Sequence, residues 1–114
     1  MDRRKPTVQI LGRYQLWHEG HTELFKRAHR RTGQVIIMVR DTGEKYHSRS
    51  VIMLSLEEAG FIYAKDFEII DVPNIVDITY GRDVGYTITQ EHLDESIENI
   101  SATNIRNKME GVYS

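Results

Sequence analysis

Two histidines, His18 and His21, stand three residues apart with Gly20 between them, where an apolar run gives way to a helical pattern. Imidazoles at such a junction suit three kinds of chemistry. They can ligate a metal, as neutral histidine commonly does. They can serve structure alone, one in a turn and the other near a helix start. They can also donate hydrogen bonds to a phosphate held by the free N–H groups and positive dipole end of a helix N-terminus. The metal reading is poorly supported. The helical metalloprotease pattern places histidines four apart with a third ligand elsewhere, whereas here Gly20 interrupts and is expected to disfavour helix before His21. The phosphate reading gathers more support. Gly20 lets backbone approach closely, Gly12 lets the preceding strand turn sharply, and imidazoles can carry positive charge when phosphate sits close.

The elements that must position this pair are read from hydropathy patterning. Residues 7–12 are short, β-branched and apolar, as a buried strand should be. Residues 21–31 form an amphipathic helix with Leu24, Phe25 and Ala28 on one face, and Gly33 is placed to end it. Residues 34–40 are almost continuously apolar, which predicts a second strand covered on both faces. A polar loop with a turn at Thr42 and Gly43 follows. Ser48 is expected to cap a second helix that carries Val51, Ile52, Leu54, Leu56 and Ala59 and ends at Gly60. Residues 66–72 predict a third strand, 74–81 a fourth and 86–93 a fifth, with a C-terminal helix over 101–109. Strands alternating with helices imply a single α/β domain over 1–114, a mainly parallel sheet sandwiched between helices. Ligands of such sheets bind outside the carboxyl ends of the strands. The loops at 12–21 and 81–85 are expected to open on that same edge.

Composition narrows the function classes. A formal net charge of -2 over 114 residues argues against a general nucleic-acid binder. Lys26, Arg27, Arg30 and Arg31 then read as the solvated face of a helix, and Arg3, Arg4 and Lys5 as a basic terminus. With no cysteine, neither a disulfide framework nor a thiolate metal site is possible. No run approaches the roughly 18 apolar residues of a membrane span. The expectation is a cytoplasmic protein with no membrane partner.

The stretch from Gly12 to Ala28 resembles the first signature of the nucleotidylyltransferase superfamily, whose HxGH motif is met by His18, Glu19, Gly20 and His21. The second signature of that superfamily is similar to "ISATNIR", residues 100–106. What the resemblance implies is a Rossmann-like three-layer α/β/α fold. It also implies transfer of AMP or CMP from a nucleoside triphosphate, ATP or CTP, to a phosphorylated small-molecule acceptor, with release of pyrophosphate. Under it, His18 and His21 contact the triphosphate and stabilise charge on the α-phosphate. Ser101, Thr103 and Arg106 hold the β- and γ-phosphates, and Mg²⁺ bridges the phosphates. Lys45 is the candidate for the α-phosphate or the acceptor phosphate. Gly12, Arg13, Tyr14 and Gly20 belong to the first nucleotide-binding loop, with Arg13 as an anion contact. Gly81, Arg82 and Asp83 are assigned to base and ribose. No metal-ligating side chain is implied, and a homodimer fits the compact size.

The residue types suit such chemistry. In-line displacement at phosphorus needs alignment and charge neutralisation more than a nucleophilic side chain. The chain departs from the pattern at Trp17, where relatives often carry phenylalanine or leucine, at Leu16, where adenylyl-transferring members often carry proline, and in the short 43–60 region that reads the acceptor. The choice between ATP and CTP stays open, with a lean towards ATP. The alternative function is a nucleotide-binding regulatory domain that keeps both motifs without releasing pyrophosphate.

Overall fold

The structure is a computed structural model that describes residues 1–43, 48–82 and 85–91. Five elements follow in order: β1 (Val8–Gly12), α1 (Glu19–Thr32), β2 (Val35–Arg40), α2 (Ser48–Glu58) and β3 (Phe67–Val72). The strands make one sheet in the order β1-β2-β3. Both pairings are parallel, with Ile10 beside Ile37 and Ile37 beside Ile69. Parallel neighbours need a crossover, and α1 and α2 supply the two.

Crossovers of one hand that step in one direction across a sheet leave their helices on the same face. Burial agrees. Alternate residues of each strand share a face, and Ile10, Val35, Ile37, Val39, Phe67 and Ile69 pack with Phe25 and Ala28 of α1 and with Ile52 and Leu56 of α2. Phe25 is fully enclosed, its ring edge-on to Phe61 at 4.8 Å and to Phe67 at 5.9 Å. The α/β class and the parallel sheet match the expectation from sequence. The sandwich does not extend to the described residues, where no helix covers the face that carries Leu11, Ile36, Met38 and Ile70. Those β2 positions are half-buried rather than fully buried.

Helix α1 begins earlier than Gly20 suggested. A glycine inside a helix costs about 1 kcal/mol against alanine, yet Glu19 and Gly20 both lie in it. His18 is the N-cap, in extended conformation. It takes part in a reciprocal cap that satisfies N–H groups otherwise left without partners. That gain offsets the glycine penalty. At the other end Gly33 adopts φ 81°, the left-handed conformation that glycine takes without strain, and its N–H donates to the carbonyl of His29 at 2.7 Å. Ser48 is the first residue of α2 rather than its cap, and its buried hydroxyl accepts from the amide of Gln15.

The N-terminal arm is tied down by Gln34. Its side-chain amide donates to the carbonyl of Asp2 at 2.7 Å and to the hydroxyl of Thr7 at 2.6 Å. Beyond β3 the expectation changes. Residues 73–82 form no strand: Pro73 has no N–H to give a ladder, and Val76, Ile78 and Tyr80 are exposed, Val76 by 83%. Of the fifth strand, residues 86–91 are described and are likewise not strand, with Tyr86 and Ile88 exposed. The expected helix over 101–109 lies outside the described residues. Arg27 pairs with Glu23 at 3.2 Å, and both Arg27 and Arg31 meet Glu91, so the basic face of α1 is partly neutralised. No helix among the described residues is long and apolar enough to cross a membrane.

Candidate functional site

The turn between β1 and α1 is built around a missing side chain. A Cβ at Gly12 would stand 2.8 Å from the Cε1 and Cζ atoms of Tyr14. Glycine is required there for space, so that the Tyr14 ring can fold back over the strand end, rather than for backbone freedom. Tyr14 itself adopts φ 52°, a conformation that non-glycine residues visit rarely. Burial of its ring holds it there. The ring lies 4.9 Å from Trp17 and edge-on to His21 at 5.0 Å.

Three side chains tie this turn to its surroundings. Trp17 donates from Nε1 to the hydroxyl of Thr22 at 2.9 Å, which fixes the indole against the first turn of α1. Gln15 donates to Ser48 at the start of α2. Arg13 donates from Nε to the hydroxyl of Thr42 at 2.9 Å, joining the turn to the loop after β2. The result is a rigid platform behind two imidazoles.

Those imidazoles are stacked, with ring centres 3.7 Å apart and planes 27° from parallel. Nδ1 of His18 accepts the N–H of Gly20 at 3.1 Å, and Nδ1 of His21 accepts the N–H of His18 at 3.1 Å. An Nδ1 that accepts carries no proton, so each neutral ring carries its proton on Nε2. The helix cap thereby selects the tautomer of both rings. Burial lowers His18 to about 4. It lowers His21 to about 3, the neighbouring His18 adding to the effect of burial. With no phosphate beside them both rings are therefore neutral near pH 7, and the pair offers two neutral Nε2–H donors.

A consequence for stability follows. In the unfolded chain a histidine binds a proton below its ordinary 6.5. In the folded chain His18 and His21 resist protonation until about 4 and about 3. The unfolded state binds more protons over that window, so their contribution is fully present above pH 6.5 and is lost as pH falls. The melting temperature is expected to drop between pH 6.5 and 4, and to drop less steeply in His21→Gln. Equal acid sensitivity in both proteins, followed by circular dichroism, would contradict this linkage.

Of the residues expected from sequence, the structure brings together Gly12, Arg13, Tyr14, His18, Gly20 and His21 in this one turn. Tyr14 stands behind the histidines rather than beside solvent; its hydroxyl is buried with no hydrogen-bond partner among the described residues, and burial raises its pKa. Gly81 and Arg82 are exposed, and no strand precedes them to carry them to the sheet edge. Lys45, Asp83, Ser101, Thr103 and Arg106 lie outside the described residues. Sequence reading did not single out the Trp17–Thr22 and Gln15–Ser48 ties, which join side chains through the fold and leave no pattern of spacing. Among the described residues no group of three or more histidine, cysteine or acidic side chains is arranged to hold a metal. No protein-family model, no curated protein and no solved structure matches the chain.

Proposed function

We propose that the chain is a nucleotidylyltransferase of Rossmann-like type, moving AMP or CMP from ATP or CTP to a phosphorylated small molecule. The observation that carries this reading is the reciprocal histidine cap: two Nε2–H donors beside the N-terminus of the helix that follows the first strand of a parallel sheet. Backbone N–H groups and the helix dipole favour an anion at that point. Neutral imidazoles add direction without requiring a proton to be taken up first.

In the reaction an oxygen of the acceptor phosphate forms a bond to the α-phosphorus as the bond to the β-phosphate oxygen breaks, and pyrophosphate leaves. His18 and His21 donate to the α-phosphate oxygens, where negative charge is concentrated as the displacement proceeds. They transfer no proton. By the resemblance, Ser101, Thr103 and Arg106 grip the β- and γ-phosphates, Lys45 and Arg13 supply positive charge, and Gly81, Arg82 and Asp83 line the base. The described donors are nitrogen and suit phosphate oxygen, whereas Mg²⁺ demands oxygen ligands. Mg²⁺ then belongs with the triphosphate as part of the substrate, where it neutralises phosphate charge.

Binding is tested by melting. A triphosphate with Mg²⁺ at a hundredfold its dissociation constant adds about 2.7 kcal/mol, enough to raise the melting temperature by several degrees. If no common triphosphate shifts the transition at millimolar concentration, the nucleotide site is wrong.

A further inference from the structure

Arg40 ends the central strand. It pairs with Val72 of β3 and follows Val39, which pairs with Gly12 of β1. It therefore stands on the same carboxyl edge of the sheet as the β1–α1 turn. Its side chain is half-buried, and Nη1 reaches the carbonyl of Ile75 at 3.4 Å, a long contact. Nε is enclosed and makes no hydrogen bond among the described residues. A guanidinium stays charged at any ordinary pH, and an enclosed N–H on it is costly until an acceptor meets it. Arg27 and Arg31 of α1 are different, since Glu23 and Glu91 serve them. Arg13 reaches across from the first turn to Thr42, two residues beyond Arg40. Two guanidinium-bearing segments thus converge on one edge of a chain whose net charge is -2.

We propose that Arg40 anchors a second anion subsite, which takes the phosphate monoester of the acceptor at the end of β2, separate from the triphosphate at His18 and His21. The proposal rests on the nucleotidyl-transfer reading. A phosphate dianion offers two acceptors to the Nη atoms at the half-buried end of the side chain, the forked geometry in which arginine binds best. The ends of β1 and β2 are neighbours in the sheet, so Arg40 shares an edge with the turn that leads into α1, as direct transfer between two bound anions requires. The resemblance to nucleotidylyltransferases implies acceptor recognition in residues 43–60. Arg40 precedes that region and is held by the sheet itself.

The test uses the full chain and inorganic phosphate as probe, titrated calorimetrically with and without a saturating, non-hydrolysable triphosphate analogue and Mg²⁺. Wild type is expected to bind phosphate in both conditions. Arg40→Met should weaken phosphate binding by about tenfold or more, with analogue affinity unchanged within about twofold. Its ligand-free melting temperature should equal or exceed that of wild type, because the substitution removes an enclosed, unmatched N–H. Arg40→Lys keeps the charge and loses the fork. It is expected to show the same direction of loss, and it serves should the methionine variant not fold. Unchanged phosphate affinity overturns the subsite, as does equal loss of phosphate and analogue, or phosphate that binds wild type only by displacing the analogue. Failure of the analogue to bind at all would instead strike the nucleotide reading, and the titration without analogue would still report on Arg40.

Discussion

Replacing His18 or His21 with alanine is expected to slow pyrophosphate release by about a hundred- to a thousandfold, while triphosphate affinity changes by only a few-fold. The reason lies in how each ring divides its two nitrogens. Nδ1 serves structure: it accepts a backbone N–H and closes the cap of α1. In the proposed reaction Nε2–H meets the phosphate, and a donor aimed at the α-phosphate matters most when charge develops there. Alanine removes both functions at once, so stability falls too. For His21, which is 6% exposed and packed on Tyr14 and Trp17, the structural loss should be the larger. Asparagine at position 18 separates the two roles. It is among the best N-cap residues, so His18→Asn should recover most of the melting temperature lost by His18→Ala, yet it has no group where Nε2–H was. Turnover should remain low. If His18→Asn restores turnover along with melting, the ring is a cap and nothing more.

The second large effect concerns the core that holds the cap in place. Phe25→Ala is expected to cost about 3–5 kcal/mol, a large part of the roughly 5–15 kcal/mol that stabilises a typical domain. Phe25 is fully enclosed, on the same helix as His21. It fills the junction where α1 meets Phe61 and Phe67, with the His29 ring 5.8 Å away and itself edge-on to Phe61. The methyl group of alanine cannot fill that space, and Phe67 beside it is held in the sheet. Urea unfolding should show a much lower midpoint with an unchanged slope. A loss below about 1 kcal/mol would mean that the junction collapses around the gap, contrary to a tightly packed core.

Why the first half of the chain was legible in sequence, and the second half less so, can be traced to particular residues. Strands at 7–12 and 34–40 are readable from their nearly continuous apolar runs, and 66–72 from the alternation of Phe67 and Ile69 with acidic neighbours. Phe25 and Ala28 marked the buried face of α1 for the same reason of periodicity, and Gly33 marked its end. The start of α1 lies earlier than propensity predicts. Propensity alone puts Gly20 outside the helix, but propensity does not register a cap made by two imidazoles. The alternation of Val76, Ile78 and Tyr80 reads as a strand. Alternation tells which side chains a strand would bury; it does not tell whether a sheet edge is there to receive them. Gly12 stands out in the sequence for conformational freedom, whereas the structure uses it to make room for the Tyr14 ring. The protonation of the histidines and the enclosed Nε of Arg40 depend on burial and on partners far away in the chain, which no local spacing encodes.

The measurement that tests the central claim most directly is pyrophosphate release by the full chain with Mg²⁺, ATP or CTP, and a panel of phosphorylated acceptors including glycerol phosphate, pantetheine phosphate and nicotinamide mononucleotide. The account predicts acceptor-dependent release with at least one pairing, reduced by about a hundredfold or more in His18→Asn although that variant melts close to wild type. Protein that melts cooperatively yet releases no pyrophosphate with any pairing, or a His18→Asn variant that releases it at the wild-type rate, would contradict the account.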